Sequence, residues 1–354
     1  MCDANVCAEP DPQQCNDAPM GVPVRTPHRL TALVLSTLLA ATTAATTAVA
    51  SSPRSGHDPG DPSLLVTGLS GGGGSTIGPD GALYVTEPET GEVSRVDRRT
   101  GEVSTFASGL PERVLGTPGG ALDVAFLGRT AYVLVTLVEP DDASGLYRVD
   151  RSGAVVPVAD IGAWSVANPP DTDFFVPTGV QFALEAHRGG FLVTDGHHNR
   201  VLRVTPRGSI SELIALDNVV PTGLETFGRT VLVAQAGPVP HLPEDGKVVA
   251  FRPGWPDTAE IASGGRLLVD VELGRGGLYA LSQGVFDPVN PEGSPAEPGT
   301  GQLMKAGWDG TLRPVADGLD QPTSVEIVRG TAYVVTLGGE VWTVRLGHGH
   351  GWGR

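Results

Sequence analysis

The sequence predicts an all-β protein, a six-bladed β-propeller of four-stranded blades whose last blade is closed by an N-terminal strand. Three observations carry the prediction. Glycine (49) and proline (30) are abundant among 354 residues, while aromatic residues make up only 5%; this mixture suits many short strands joined by tight turns. Apolar residues reach 40% and alternate with polar ones, which argues for a packed core over disorder. A multi-strand unit then recurs, its second strand beginning at Leu83, Ala131, Phe191, Val231, Leu278 and Ala332, at intervals of 48, 60, 40, 47 and 54 residues. A period of that size with four strands per unit is the signature of propeller blades.

The first unit, Gly78 to Leu110, is the clearest. It reads as strand ALYVT, a turn, strand EVSRVD, the turn RRTG and strand EVSTFASGL. Period-two alternation marks the strands, and Gly, Asp and Pro supply the turn geometries. Third strands follow as SRVD, YRVD, LRVT, VAFR, LMKA and VWTV. First strands share a beginning at Pro177-Thr178-Gly179-Val180, Pro221-Thr222-Gly223-Leu224 and Pro322-Thr323-Ser324-Val325. The sixth unit stops at Leu346 without a fourth strand. Ser63 to Leu69 resembles the fourth strands FASGL and VADGL. Pairing it onto the sixth unit closes the ring and covers an exposed edge. The propeller is therefore expected over 63–346.

Upstream, residues 1–19 form an acidic, Pro-rich leader holding all three cysteines, Cys2, Cys7 and Cys15. Residues 20–50 read as a secretory signal peptide: Arg25, His28 and Arg29 precede an apolar run from Leu30 to Ala50 that ends Ala48-Val49-Ala50. Cleavage after Ala50 and secretion are expected, with Met20 as the start of translation and 1–19 as an upstream extension. An uncleaved anchor helix is the competing reading, since the run is long enough to span a bilayer. A linker covers 51–62 and a His/Gly tail 347–354. Without its leader the chain has no cysteine, hence no disulfide and no thiolate ligand or nucleophile. Net charge is -16, with 40 acidic residues against 24 Lys and Arg. Such a surface repels phosphate, so neither nucleic acid nor, after signal cleavage, an anionic membrane is an expected partner.

In a propeller, loops from strand two to three and from strand four to the next strand one share a face. On the other face the turns are tight: GPDG, RRTG, RSG, PRGS and WDGT. The first set holds the long segments LVEPDDASG, DIGAWSVANPPDTDFFVP, AQAGPVPHLPEDG and SQGVFDPVNPEGSPAEPGTG. Loops longer than about 12 residues are usually functional or mobile, so the loop-rich face is the expected binding face.

Two groups of candidate site residues lie there. The stretch Thr194-Asp195-Gly196-His197-His198-Asn199-Arg200-Val201 concentrates ligand-type side chains: Asp195, His197, His198 and Asn199. It closely resembles the Asp-x-x-x-Asn-Arg-Val turn of NHL-type repeats, where Asp and Asn bond turn backbone and Arg packs between strands, a role that needs no ion. Adjacent histidines on an extended chain point apart, so at most one faces the channel. The second group is Asp123 and Asp270. Aligning first strands on Thr-Gly-Val matches Gly179 with Gly223 and Ser324 and gives these two aspartates one position in opposite blades. They are candidate oxygen ligands for calcium or another divalent cation; alternatively each accepts backbone hydrogen bonds from a neighbouring blade. Gly68-Leu69-Ser70-Gly71-Gly72 matches Gly-x-Ser-x-Gly formally, but no helix follows to expose the serine. Nor is the Gly71–Gly74 run a phosphate loop, since no lysine follows it. The His/Gly tail reads as a frayed terminus or a weak transition-metal chelator.

The phrases LLVTGL, GPDGALYV, LDVAF, GLYRVD, VADIGAW with NPPD, VPTGV, and VADGL with QPTSV resemble the ScyD/ScyE family of secreted bacterial proteins over Leu64 to Leu346. The resemblance implies a six-bladed, TolB-like or NHL-like propeller and brings no catalytic residues with it. Two functions follow as expectations. The favoured one is a secreted module that binds a small molecule, glycan or extracellular protein through its loop-rich face. The alternative is a metal-dependent propeller hydrolase, lactonase or lyase with a cation at the central channel.

Overall fold

The computed structural model describes residues 60–347 except 115 and 256. The segments expected as leader and signal peptide, and nearly all of those expected as linker and tail, fall outside the described residues. The described chain forms six four-stranded antiparallel sheets, each a blade. Blade one holds β2 (Ser75–Ile77), β3 (Leu83–Glu87), β4 (Glu92–Val96) and β5 (Val103–Ala107); blade two holds β6 (Gly120–Leu127), β7 (Thr130–Thr136), β8 (Gly145–Val149) and β9 (Val155–Asp160). Blade three holds β10 (Gln181–His187), β11 (Gly190–Asp195), β12 (Arg200–Val204) and β13 (Ile210–Ala215); blade four holds β14 (Pro221–Phe227), β15 (Thr230–Gln235), β16 (Lys247–Phe251) and β17 (Ala259–Ser263). Blade five holds β18 (Leu268–Gly274), β19 (Gly277–Ser282), β20 (Gly301–Ala306) and β21 (Leu312–Leu319). Blade six takes β22 (Pro322–Val328), β23 (Thr331–Thr336) and β24 (Val341–Arg345) from the C-terminal end and β1 (Pro62–Val66) from the N-terminal end.

That last pairing is the expected closure. Pro62 lies opposite Val344, Ser63 opposite Thr343 and Leu64 opposite Trp342. Inside the ring, the Ser75 hydroxyl of blade one meets the Ser324 hydroxyl of blade six at 2.8 Å. The innermost strands touch in the cyclic order β2, β6, β10, β14, β18, β22 and back to β2. Blades two and five therefore stand opposite each other.

The core is divided among the blade interfaces. Six buried clusters each join two neighbouring blades: Tyr84 and Val133 between blades one and two, Leu134 and Phe191 between two and three, Val201 and Val233 between three and four. Ala234 and Leu268 join four to five, Leu281 and Val334 five to six, and Val335 and Leu83 six to one. Second strands are covered on both faces, so β3 and β11 are buried throughout; outer strands such as β5 and β13 face solvent on one side. Among the described residues no helix is long and apolar enough to cross a membrane.

One element departs from expectation. The segment before blade three, expected as loop, contains a short helix, α1 (Ile161–Ala167). Asp160 caps it, its carboxylate accepting a hydrogen bond from the Ala163 N–H at 2.8 Å, and Ile161 anchors it in the core. Loss of such a cap costs about 1 kcal/mol. Asp160→Ala should lower the melting temperature by a few degrees; an unchanged melt would mean that the buried Ile161 contact alone holds the helix.

A cavity floored by carboxyls

Where innermost strands meet the channel they leave one edge without a partner strand, and a bare backbone N–H there is costly. Five of the six innermost strands carry a pairing irregularity, between Ala121 and Asp123, Gln181 and Leu184, Pro221 and Leu224, Leu268 and Asp270, and Pro322 and Ser324. A bulge re-aims the side chain beside it. Pairing resumes at Asp123 in blade two, Asp270 in five and Ser324 in six; Ala183 in blade three and Gly223 in four hold the equivalent position, one residue before pairing resumes there.

Asp123 and Asp270 therefore do share a position in opposite blades, and both do the same thing. Asp123 Oδ2 accepts from the Leu184 N–H of blade three at 2.7 Å and its Oδ1 from Val124 N–H at 2.8 Å. Asp270 Oδ2 accepts from the Val325 N–H of blade six at 2.8 Å and its Oδ1 from Val271 N–H at 2.8 Å. Each aspartate clasps the free edge of the next blade. The expected match of Gly179 with Gly223 does not hold. In blade three the Pro-Thr-Gly-Val phrase lies four residues earlier, before the strand, and Ala183 takes the channel position. Gly179 has a different duty: at φ 70° it passes so close to Asp195 that a Cβ would lie 2.4 Å from the carboxylate.

Two residues further along the same strands, four consecutive blades carry Glu185, Glu225, Glu272 and Glu326, a set not singled out from the sequence. Glu185 accepts from the Thr226 hydroxyl at 2.9 Å, Glu225 from Leu273 N–H at 3.1 Å, and Glu272 from Ile327 N–H at 3.5 Å, each donor in the following blade. Glu326 meets no hydrogen-bond donor among the described residues. Burial is the main cause that pushes Glu185 and Asp270 up to about 7 and Asp123 well above the usual carboxylate range. Burial, then the neighbouring Glu326 charge and the hydrogen bond its own protonated carboxyl donates to Glu225, push Glu272 up to about 12. Glu326 is likewise raised, first by burial and then by the charges of Asp270 and Glu185. The sequence signal was available: an apolar-Glu pair at one register in QFALEAH, PTGLETF, LVDVELG and PTSVEIV.

Above this floor lies a cavity of about 1040 Å³. Its loop walls come from the long-loop set: the stretch before β2, the loops before blades two to five, and the second-to-third connections of all six blades. The expected binding face is thus the face onto which the cavity's walls converge. Of the sequence candidates, Asp123, Asp270, His197 and Asn199 line it, whereas Asp195 and His198 do not. Those two are fully buried behind the wall. Asp195 accepts from Val180 N–H at 3.1 Å and from Arg200 Nε at 3.2 Å. His198 Nε2 bonds the Val176 carbonyl at 3.0 Å, so that nitrogen carries its hydrogen. Asn199, at φ 52°, accepts from Val219 N–H at 2.9 Å and Val220 N–H at 2.8 Å, fastening the entry to blade four. His197 points the other way: its Nε2 accepts from Phe175 N–H at 2.9 Å and Val176 N–H at 3.0 Å. Burial and the adjacent His198 lower its pKa.

For a divalent cation the donor set does not fit as built. All four oxygens of Asp123 and Asp270 accept backbone N–H bonds, whereas calcium takes six to eight converging oxygens. Among the described residues no group of three His, Cys, Asp or Glu side chains is arranged to hold a metal ion.

No family model and no curated protein matches this sequence. In structure the chain is similar to a gluconolactonase from Xanthomonas campestris, with TM-score 0.56 and 15% identity over 81% of this chain and 89% of that one. It is similar to a putative oxidoreductase (glucose dehydrogenase) from Thermus thermophilus, with TM-score 0.55 and 16% identity over 81% and 99%. It is also similar to a calcium-binding protein, regucalcin, from Agrobacterium tumefaciens, with TM-score 0.53 and 12% identity over 79% and 92%. At such identities the likeness is one of fold, and the class it defines is the six-bladed β-propeller.

Proposed function

We propose that this protein is a secreted binding propeller of the ScyD/ScyE type that takes a small molecule into its central cavity. The observation that carries the reading is the cavity itself, about 1040 Å³ and walled by loops from every blade. That volume is at the upper end of ordinary small-molecule sites. Long loops alone would suggest only tolerated insertions, but these converge on one space. They are also held in place. The Phe286 ring of blade five packs edge-on to His241 of blade four at 5.3 Å, within a small buried cluster that includes Ala236 and Ala296.

The test is a thermal-shift screen of the full-length protein against a chemically broad library, repeated on Phe175→Ala. Phe175 is 68% exposed at the cavity wall, so its truncation should spare the fold. Hits that stabilise the protein and weaken in the variant support the reading. A library without hits, beside binding of a glycan or an extracellular protein, would move the function to the outer surface.

The second reading is a cation-dependent hydrolase, lactonase or lyase. The shared position of Asp123 and Asp270 and the fold likeness to a gluconolactonase and a calcium-binding protein favour it. It requires the two aspartates to release the backbone of the next blades. A stoichiometric metal in the purified protein, lost in Asp123→Asn together with Asp270→Asn, would establish it over the binding reading.

A further inference from the structure

The chemistry of the cavity is divided by depth, and this division names a ligand class; the argument rests on the binding reading above. The lining includes nine carboxylate side chains, from Glu89 and Asp173 near the walls to the floor set, against one arginine, Arg113. Arg113 is committed to Glu89, Nη2 to Oε1, at 2.8 Å. The lining histidines, His197 and His241, are both lowered, by burial first, and so add no fixed positive charge near neutral pH. Within the floor, Glu225 and Glu272 are tied to the next blade's backbone. Glu326 lines the same cavity, is half-buried, and meets no hydrogen-bond donor among the described residues. A carboxyl that faces a cavity and accepts nothing from its own protein is free to accept a donor from a ligand.

The loop-rich face has the opposite character. Phe174 and Phe175 before blade three, Val239 and Leu242 in blade four, and Val285 and Val289 in blade five are all exposed apolar side chains, Phe175 by 68% and Val289 by 84%. They lie on loops that approach the cavity from neighbouring blades. An apolar rim over a carboxyl floor, with no free cation in the wall, is complementary to a molecule with an apolar body and a positively charged end.

We propose that the cavity binds a hydrophobic organic amine, its ammonium directed to the floor beside Glu326 and its apolar body against Phe174 and Phe175. Anionic ligands find no free cation in the lining to pair with and would sit beside carboxyls that already resist ionisation, whereas an ammonium pairs with the carboxylate it helps to ionise. A hydrated metal ion would leave most of the volume and the apolar rim unused.

The experiment is calorimetric titration of the full-length protein with phenylbutylamine, phenylbutanol and phenylbutyrate, which share a body and differ in charge. The amine should bind about tenfold tighter than the alcohol, and the carboxylate should not bind. Glu326→Gln should remove most of the amine's advantage, about tenfold, and leave the alcohol unchanged. The three-compound comparison needs no variant and so does not depend on the variant's folding. An amine that binds no tighter than the alcohol, or a carboxylate that binds best, overturns the amine while the cavity remains a binding site. An amine affinity unchanged in folded Glu326→Gln overturns the placement of the ammonium. Silence from all three overturns the amine class, and only silence across the broad library removes the cavity reading itself.

Discussion

Arg200→Met should destabilise the protein by roughly 3–5 kcal/mol, the range found when one partner of a buried ion pair is removed. Arg200 is 1% exposed and heads the large, fully buried side chains. Its Nε donates to Asp195 at 3.2 Å, Nη1 to the Asn168 carbonyl at 2.8 Å, and Nη2 to the Ser165 hydroxyl at 3.0 Å. The guanidinium also lies 4.9 Å from the Trp164 ring centre. One side chain thus joins β12, helix α1 and the strand end at Asp195. Methionine fills much of the space but leaves Asp195 buried without its cation and two acceptors without donors. A domain of this size loses about 2–4 °C of melting temperature per kcal/mol, so the fall should be on the order of 10 °C. Asp195→Asn combined with Arg200→Met should recover part of it, because the stranded charge goes with its partner. A single variant within 2 °C of the parent would mean that the Asp-x-x-x-Asn-Arg turn is not what fastens blade three.

The same turn shows where sequence reasoning reaches its limit. Ligand-type side chains in Asp195 to Asn199 pointed either to a metal or to turn chemistry; the structure ties Asp195 and Asn199 to backbone N–H groups of adjoining loops. Local composition is the same in both cases, and only the partners, 15 to 21 residues away in sequence, separate them. The blade count, blade order and ring closure were legible because they depend on repeated alternation and turn residues, which are local. The register of the first strands was not. The phrase Pro-Thr-Gly opens β14 at Pro221, but in blade three it forms a turn four residues ahead of the equivalent position, and so Pro177 to Val180 passed for a strand start that lies at Gln181. Asp123 and Asp270 survived that error because both follow an equivalent bulge. The glutamates were overlooked because a polar residue in an alternating strand reads as solvent-facing. Here the open side of the strand is the channel, where burial reverses what the carboxyl does.

That reversal sets the second large effect: the folded protein should be more stable at pH 5 than at pH 8. Glu185 and Asp270 are raised to about 7, and Glu272, Glu326 and Asp123 are raised further or well above normal, with burial the leading cause in each. In the unfolded chain these groups titrate near 4. Between the two values the folded state binds more protons than the unfolded one, so stability falls as pH rises. Their contribution is whole below about pH 4 and is lost progressively on approach to pH 7 and above. Surface carboxylates act with the opposite sign: Asp309, held low by Arg313, and Asp97, held low by Thr100 and Arg99 backbone donors, lose their contribution only as pH drops below the normal carboxylate range. The two windows barely overlap, which puts the optimum near pH 4 to 5 rather than at neutrality. Melting temperature should fall by on the order of 5–10 °C from pH 5 to pH 8. Glu326→Gln should flatten the slope and raise the value at pH 8, since it removes a charge that its neighbours also resist. A bound amine should do the same at pH 8 by neutralising the floor instead of deleting it. A melt that is flat or rises across this range would show that water reaches the carboxyl ring, and that its members ionise as freely as those on the outer strands.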